Sequence, residues 1–204
     1  GDSTGVVSLK ELCNNTLIPA MTGEVNLTTL IQYIMRGGWP GNIDTPIAQA
    51  TLLPLQYIDA IIEDDVFRID GVKRNKDKMK LLLRSLARNE TTTATNLSLA
   101  KDVRENDDSE IDKGTIADYL DIFKRLFIID NQKPFSTNIR SSVRVKQSEK
   151  RHFCDPSLAC ALLNASPEML INDLQTLGFL FEALCERDLK IYAESFGASL
   201  YHYQ

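Results

Sequence analysis

Thr115-Ile116-Ala117-Asp118-Tyr119-Leu120-Asp121-Ile122-Phe123-Lys124-Arg125-Leu126-Phe127 is the most strongly periodic stretch of the chain. Ile116, Tyr119, Leu120, Phe123, Leu126 and Phe127 recur at helical spacing, so the stretch predicts an amphipathic helix with a wide apolar stripe. Asp118, Asp121, Lys124 and Arg125 then face solvent. Upstream, Asn96 to Glu105 predicts a shorter helix with Leu97, Ala100 and Val103 inward. Asn75 to Arg88 predicts another, with Met79, Leu82, Leu83 and Leu86 inward. Downstream come a β-like Phe127-Ile128-Ile129, a loop rich in Pro, Ser and Asn, and the alternating Val143-Arg144-Val145-Lys146. Three helices followed by a small hairpin predict a winged helix-turn-helix. Its Asn106–Gly114 link is longer than the simplest motif uses.

Reading toward the N-terminus gives more helices. Ser8 with Glu11 fits a capping box for a short helix that ends near Asn14-Asn15. Asn26 caps a second, with Leu27, Leu30, Ile31 and Ile34 on one face. Gly37-Gly38-Trp39-Pro40-Gly41 stops it, because glycine supplies positive φ and proline lacks the donor. Thr45-Pro46 opens a third helix, which Pro54 is expected to kink before Tyr57, Ile58, Ile61 and Ile62 continue the stripe. Toward the C-terminus, Asp155-Pro156 starts a helix with Leu158, Ala159, Leu162 and Leu163. One long helix is predicted from about Pro167 to Glu194, and Ser199-Leu200-Tyr201-His202-Tyr203 alternates like a strand with nothing to pair with. The expected fold is mostly α: a helical region over 1–88, a winged helix-turn-helix with a small β wing over 89–165, and C-terminal helices leading to a first strand over 166–204.

Composition narrows the function. The 204 residues include 23 Lys or Arg and 28 Asp or Glu, a formal charge of −5. No window holds 18 uncharged apolar residues, which excludes a membrane-spanning helix. Four cysteines with no Cys-x-x-Cys pair read as reduced thiols of a cytoplasmic protein. His152 and His202 are too few and too far apart for a zinc pattern. Locally the charge is uneven. Arg68 to Glu90 holds eight basic and three acidic residues, Lys101 to Asp112 two and six, and Lys133 to His152 six and one. Two basic stretches around an acidic one outline either a nucleic-acid footprint or ordinary solvated faces.

Several separated stretches carry a resemblance. Gly1-Asp2-Ser3-Thr4-Gly5 with Val7-Ser8-Leu9-Lys10-Glu11-Leu12 looks like the segment after the nucleotide-binding core of prokaryotic AAA-type ATPases that end in a domain of unknown function. Gly37-Gly38-Trp39-Pro40 resembles their Gly-Gly-aromatic-Pro element. Asn96 to Phe127 is similar to their winged-helix part. Lys150-Arg151-His152-Phe153-Cys154-Asp155-Pro156-Ser157-Leu158-Ala159 and Leu177-Gly178-Phe179-Leu180-Phe181-Glu182 resemble two further signature stretches. The resemblance implies a P-loop ATPase, a winged helix and a restriction-endonuclease-like part, with this chain a middle piece.

The departures matter as much. No G-x-x-x-x-G-K-[ST] string occurs, so no ATP hydrolysis is expected of these residues, and ATP and Mg are implied only for the parent protein. Glu182 occupies the place of a first helical acid of the nuclease-like fold, but the residues that would complete a metal site are not matched. Asp188-Leu189-Lys190 lies inside a predicted helix, where i and i+2 diverge. No catalytic, metal or cofactor-binding residue is therefore expected.

Two partner readings remain. In one, the third helix enters duplex DNA while Lys133, Arg140, Arg144, Lys146, Lys150 and Arg151 hold phosphates. Asp118 and Asp121 oppose it, since carboxylates face a groove lined by phosphates. In the other, the winged helix packs between the ATPase and nuclease-like domains or against another subunit, including a second copy. Trp39 is expected in the core, Asp155 as an N-cap, and His152 and Cys154 on one face as packing residues.

Overall fold

The computed structural model describes residues 8–15, 24–135 and 148–203. Among them the protein is mostly helical: α1 (Leu9–Cys13), α2 (Leu27–Arg36), α3 (Ile47–Ala50), α4 (Leu52–Ala60), a π-helical turn (Ile61–Asp65), α5 (Val66–Asp70), α6 (Lys76–Arg88), α7 (Asn96–Asp107), α8 (Lys113–Arg125), α9 (Pro156–Leu162), α10 (Pro167–Asn172) and α11 (Leu174–Glu194). Local chemistry sets the starts. Asn26 accepts from the Thr29 N–H at 2.8 Å, Asn75 from Lys78 at 2.9 Å, and Asp155 from Ser157 at 2.9 Å, each satisfying a donor that a helix end leaves free.

Burial follows the expected stripes in α6, where Met79, Leu82, Leu83 and Leu86 are buried. It follows them in α8 through Ile116, Tyr119 and Phe123, while Phe127 departs. The helix ends at Arg125, and Phe127 takes a φ of +55° and stands 77% exposed. In α7 the phase differs from expectation: Leu99 and Val103 are buried and Leu97 is 72% exposed. Thr95 caps this helix through Ser98, so its first turn begins at Asn96 and the inward positions are three and seven residues on. Pro54 lies in the first turn of α4, where proline is tolerated. The break falls at Thr51 instead, and the π turn follows at 61–65. The single helix expected over 167–194 is two, because Asp173 ends α10 and caps α11 by accepting from the Thr176 N–H at 3.0 Å.

The seven-residue α9 is the centre of the packing. It touches α2, α4, α6 and α11, and Leu158, Ala159 and Cys160 are buried. One apolar cluster runs from Ile31 through Leu83 and Phe123 to Leu180, so the segments 1–88, 89–165 and 166–204 share a core.

No strand forms among the described residues; three isolated bridges form instead, each with one arm in 129–134, at and just after the expected first wing strand. Ile129 pairs with Phe153 and Gln132 with Lys150, both antiparallel, and Pro134 pairs with His202 in parallel. The alternating segment around Tyr201 is therefore partnered: Phe135 N–H donates to His202 O at 2.7 Å, and His202 N–H to Lys133 O at 3.1 Å. On the other side, Arg151 N–H donates to Thr92 O and Thr91 N–H to Arg151 O. Val143 to Lys146 lie outside the described residues.

Candidate functional site

The stretch 150–157 is where the resemblance motifs meet. Asp155 is 8% exposed and accepts four hydrogen bonds. Its Oδ1 receives Ser157 N–H at 2.9 Å and Ser157 Oγ–H at 2.6 Å. Its Oδ2 receives Gly38 N–H at 2.8 Å and Arg187 Nη1–H at 2.6 Å. Trp39 Nε1–H donates to Ser157 Oγ at 2.8 Å, and its ring meets Tyr57 at 4.8 Å. Trp39 thus packs half-buried on the core with its polar end satisfied. Gly37 makes this docking feasible. With φ at +68°, a Cβ there would lie 2.4 Å from Ser157 Oγ and 2.5 Å from Asp155 Oδ1.

Next to it is a second buried polar centre. His152 Nδ1 lies 3.2 Å from Glu90 Oε1 and 3.5 Å from Glu186 Oε2. Glu90 also accepts the Phe153 N–H at 3.2 Å. Burial pushes the carboxyls of Glu90 and Glu186 above the ordinary carboxylate range, and His152 partly opposes that in both. Around these centres α11 forms a line of ion pairs to the bridge segments. Glu182 meets Lys150, Arg187 meets Asp155, and Lys190 meets Asp130. The two carboxyl-bearing centres and this line fasten α2, the turn after α6 and α11 to one short stretch. We refer to them as the clamp.

The thiols and outer acids in and beside the clamp are desolvated or already engaged. Burial pushes the Cys154 thiol up to about 12 and the Cys160 thiol up as well, the opposite of what a thiolate nucleophile needs. Glu182 is engaged by Lys150. Asp188 turns to Arg187 at 2.8 Å while Lys190 turns to Asp130, so this pair diverges as helical spacing requires. Among the described residues no group of three or more His, Cys, Asp or Glu is arranged to hold a metal ion. A cleft of about 430 Å³ lies beside the π turn and is lined by Ile62, Val66, Phe67, Val72, Lys73 and Arg74, away from the clamp.

The DNA candidates separate. Lys133 is exposed. Lys150 is held by Glu182, and Arg151 turns inward, donating to Ala94 O and Asn96 Oδ1 at 2.9 Å each. Arg140, Arg144 and Lys146 lie outside the described residues. Of the eight basic residues from Arg68 to Arg88, five are in ion pairs: Arg68 with Asp65, Arg74 with Asp70 and Asp118, Lys76 with Glu63, Lys80 with Asp59, and Arg88 with Asp102 and Asp107. The outward face of α8 is open, with Ala117, Asp118, Asp121, Lys124 and Arg125 exposed. Arg74 meets Asp118 at 2.8 Å and holds its carboxyl below the usual range.

Sequence reasoning missed Glu90, Glu186 and Arg187. Their partners lie 62, 34 and 32 residues away along the chain, and no local pattern marks them. A buried carboxylate needs a partner, but neither the burial nor the partner is visible in sequence.

Residues 27–169 match the family model described as a domain of unknown function, DUF8612, and the chain belongs to that family. No curated protein and no solved structure matches it. The matched span runs across residues 88 and 165, as the shared core does.

Proposed function

We propose that this chain is a non-catalytic interaction module, built on a winged-helix arrangement, that joins parts of a larger cytoplasmic ATP-binding protein of the AAA type. The observation that carries the reading is that most of the described cations in its two basic stretches are paired within the chain. Five of eight in the 68–88 stretch and two of the three described wing candidates already have internal partners. A surface that must neutralise phosphates keeps its Lys and Arg free. The winged-helix part of the reading is supported by hydrogen-bond order. The backbone of Thr91 and Thr92 lies beside Arg151, and the segment around Arg151 lies beside 129–132. That is the order expected when a short segment between the first two helices joins the stem of a wing. ATP, Mg and any nuclease chemistry belong in this reading to the parent protein, and Glu182 serves as a structural acid.

A second reading, DNA binding, draws on one observation: among the described residues the outward face of α8 is exposed apart from the Arg74–Asp118 pair, and Lys124, Arg125 and Lys133 are exposed near it. A salt series with a labelled duplex decides between them. The module reading expects no binding even at low salt. Binding that falls steeply with salt and disappears in Lys124→Glu with Lys133→Glu would replace it with the DNA reading.

A further inference from the structure

Another cleft, of about 290 Å³, opens where four segments meet: the last turn of α8, residues 130–133, the C-terminal half of α11 and residues 199–201. That volume sits at the small end of ligand sites. The bridge between Pro134 and His202 fixes the last of these segments, and the Tyr201 ring meets Phe135 edge-on at 6.2 Å. The lining is mostly polar. Among the described residues, the side chains of Gln132, Ser199 and Tyr201 on it make no internal hydrogen bond, so each has a donor to offer.

Two cations on this lining differ from most of those in the basic stretches. Lys124 and Lys133 are both exposed, and among the described residues neither side chain enters an ion pair or a hydrogen bond. Asp121, three residues before Lys124, turns to Arg125 instead. The acids of the lining are largely engaged. Asp130 meets Lys190, and Glu186 faces His152 at 3.5 Å. Glu194 acts on Lys190 without closing an ion pair. The charges left unmatched are therefore two lysines against one glutamate. Two ammonium groups on one small cleft repel each other until an anion joins them.

The number of charges narrows the ligand. A carboxylate or a phosphate diester carries one negative charge and matches one lysine. A phosphate monoester carries about −1.5 to −2 at neutral pH and brings three acceptor oxygens, which suits two lysines beside three neutral donors. We infer that this cleft binds a phosphate monoester, with Lys124 and Lys133 as its counter-charges and Gln132, Ser199 and Tyr201 as neutral donors. A small free ester and a phosphorylated side chain of a partner protein offer the same chemistry here. The inference goes beyond the module reading and does not depend on it.

The test titrates the full chain at low salt with four probes: free O-phosphoserine, an otherwise uncharged short peptide carrying one phosphoserine, the same peptide with glutamate in that place, and dimethyl phosphate. Both phosphoserine probes bind at least about tenfold more tightly than the other two, and salt weakens them. A peptide that outbinds free phosphoserine identifies a partner's side chain as the source, and equal binding identifies a free ester; either result supports the site. Lys124→Gln with Lys133→Gln lowers the affinity about tenfold or more, and because both lysines are exposed the melting temperature stays as it was. Lys73→Gln, an exposed cation beside the π turn, changes nothing. Glu194→Gln tightens binding about twofold or more, since it removes the unmatched acid. Absence of phosphoserine binding, equal binding of the glutamate peptide or dimethyl phosphate, an equal loss in Lys73→Gln, or a loss in Glu194→Gln overturns the inference. If phosphoserine and duplex DNA both stay unbound, the cleft is wrong and the module reading stands. If duplex DNA binds and the two lysine substitutions abolish it, the DNA reading replaces both.

Discussion

Replacing Asp155 with asparagine isolates the charge at the centre of the clamp. Asparagine caps a helix as well as aspartate does, so α9 keeps its start. What disappears is the negative charge facing Arg187, in a pair whose side chains are 19% and 12% exposed. An amide NH2 also replaces one of the two oxygens that accept from Gly38, Ser157 and Arg187. Removing one partner of a buried ion pair costs about 3–5 kcal/mol. Arg187 keeps Asp188 at 2.8 Å and some solvent, which offsets part of that loss. The expected destabilisation is therefore about 2–3 kcal/mol. Urea unfolding reads it as a lower midpoint with an unchanged slope. Adding Arg187→Gln to Asp155→Asn removes the orphaned charge, so the double variant is destabilised less than the sum of the singles, by about 1 kcal/mol or more. A loss under about 0.5 kcal/mol, or strict additivity, would refute the argument that this pair holds the Gly-Gly-Trp element to α11.

Other outcomes follow from the same geometry. Glu90 and Glu186 have folded-state carboxyls raised by burial, so their contribution is fully present below the ordinary carboxylate range and is lost as pH rises through the raised value. Stability is expected to fall as pH rises above the ordinary carboxylate range, and Glu186→Gln flattens that slope in pH-dependent unfolding. A slope identical to the parent's removes the cluster from the explanation. Asp70, held at about 2 by its hydrogen bonds from Arg74, and Asp118, lowered by the same guanidinium, act in the opposite sense, so their contribution is lost on acidification below the ordinary carboxylate range. Gly37→Ala and Gly71→Ala both place a side chain at positive φ, but only at Gly37 does the new Cβ collide, so thermal melts separate a loss of about 1–2 kcal/mol at Gly71 from a clearly larger one at Gly37. Leu99→Ala is expected to lose about 2–5 kcal/mol and Leu97→Ala under about 0.5, and the reverse order in a denaturation series would restore the phase expected from sequence alone.

What sequence made legible was local. Asn26, Asn75 and Asp155 each cap a helix that begins within two residues, so composition and position suffice. The α6 stripe was readable because Met79, Leu82, Leu83 and Leu86, recurring over about two turns, leave one phase open. In α7 the stripe is short, and Ala100 and Leu97 competed with Leu99 for the inward face; only the Thr95–Ser98 cap settles the phase. The break at Asp173 carried a usable signal, an Asp three residues before Thr176, but a long apolar pattern outweighed it. The clamp was half legible. The stretches around Gly38 and Asp155 stood out individually, whereas their mutual contact spans 117 residues and depends on the fold. The split of the cations was hidden for the same reason: Arg74 lies 44 residues from Asp118, so a count of charges along the chain cannot tell a paired guanidinium from a free one.

The position of α9 also sets an order of assembly. It is made after α2, α4 and α6, yet it is the short helix against which all three pack. During synthesis, the inward faces around Ile31, Ile58 and Leu82 cannot close over their shared centre until residues 156–162 have left the ribosome. A nascent chain halted before Pro156 therefore presents those faces to solvent, and to whatever chaperone attends it, for as long as the pause lasts.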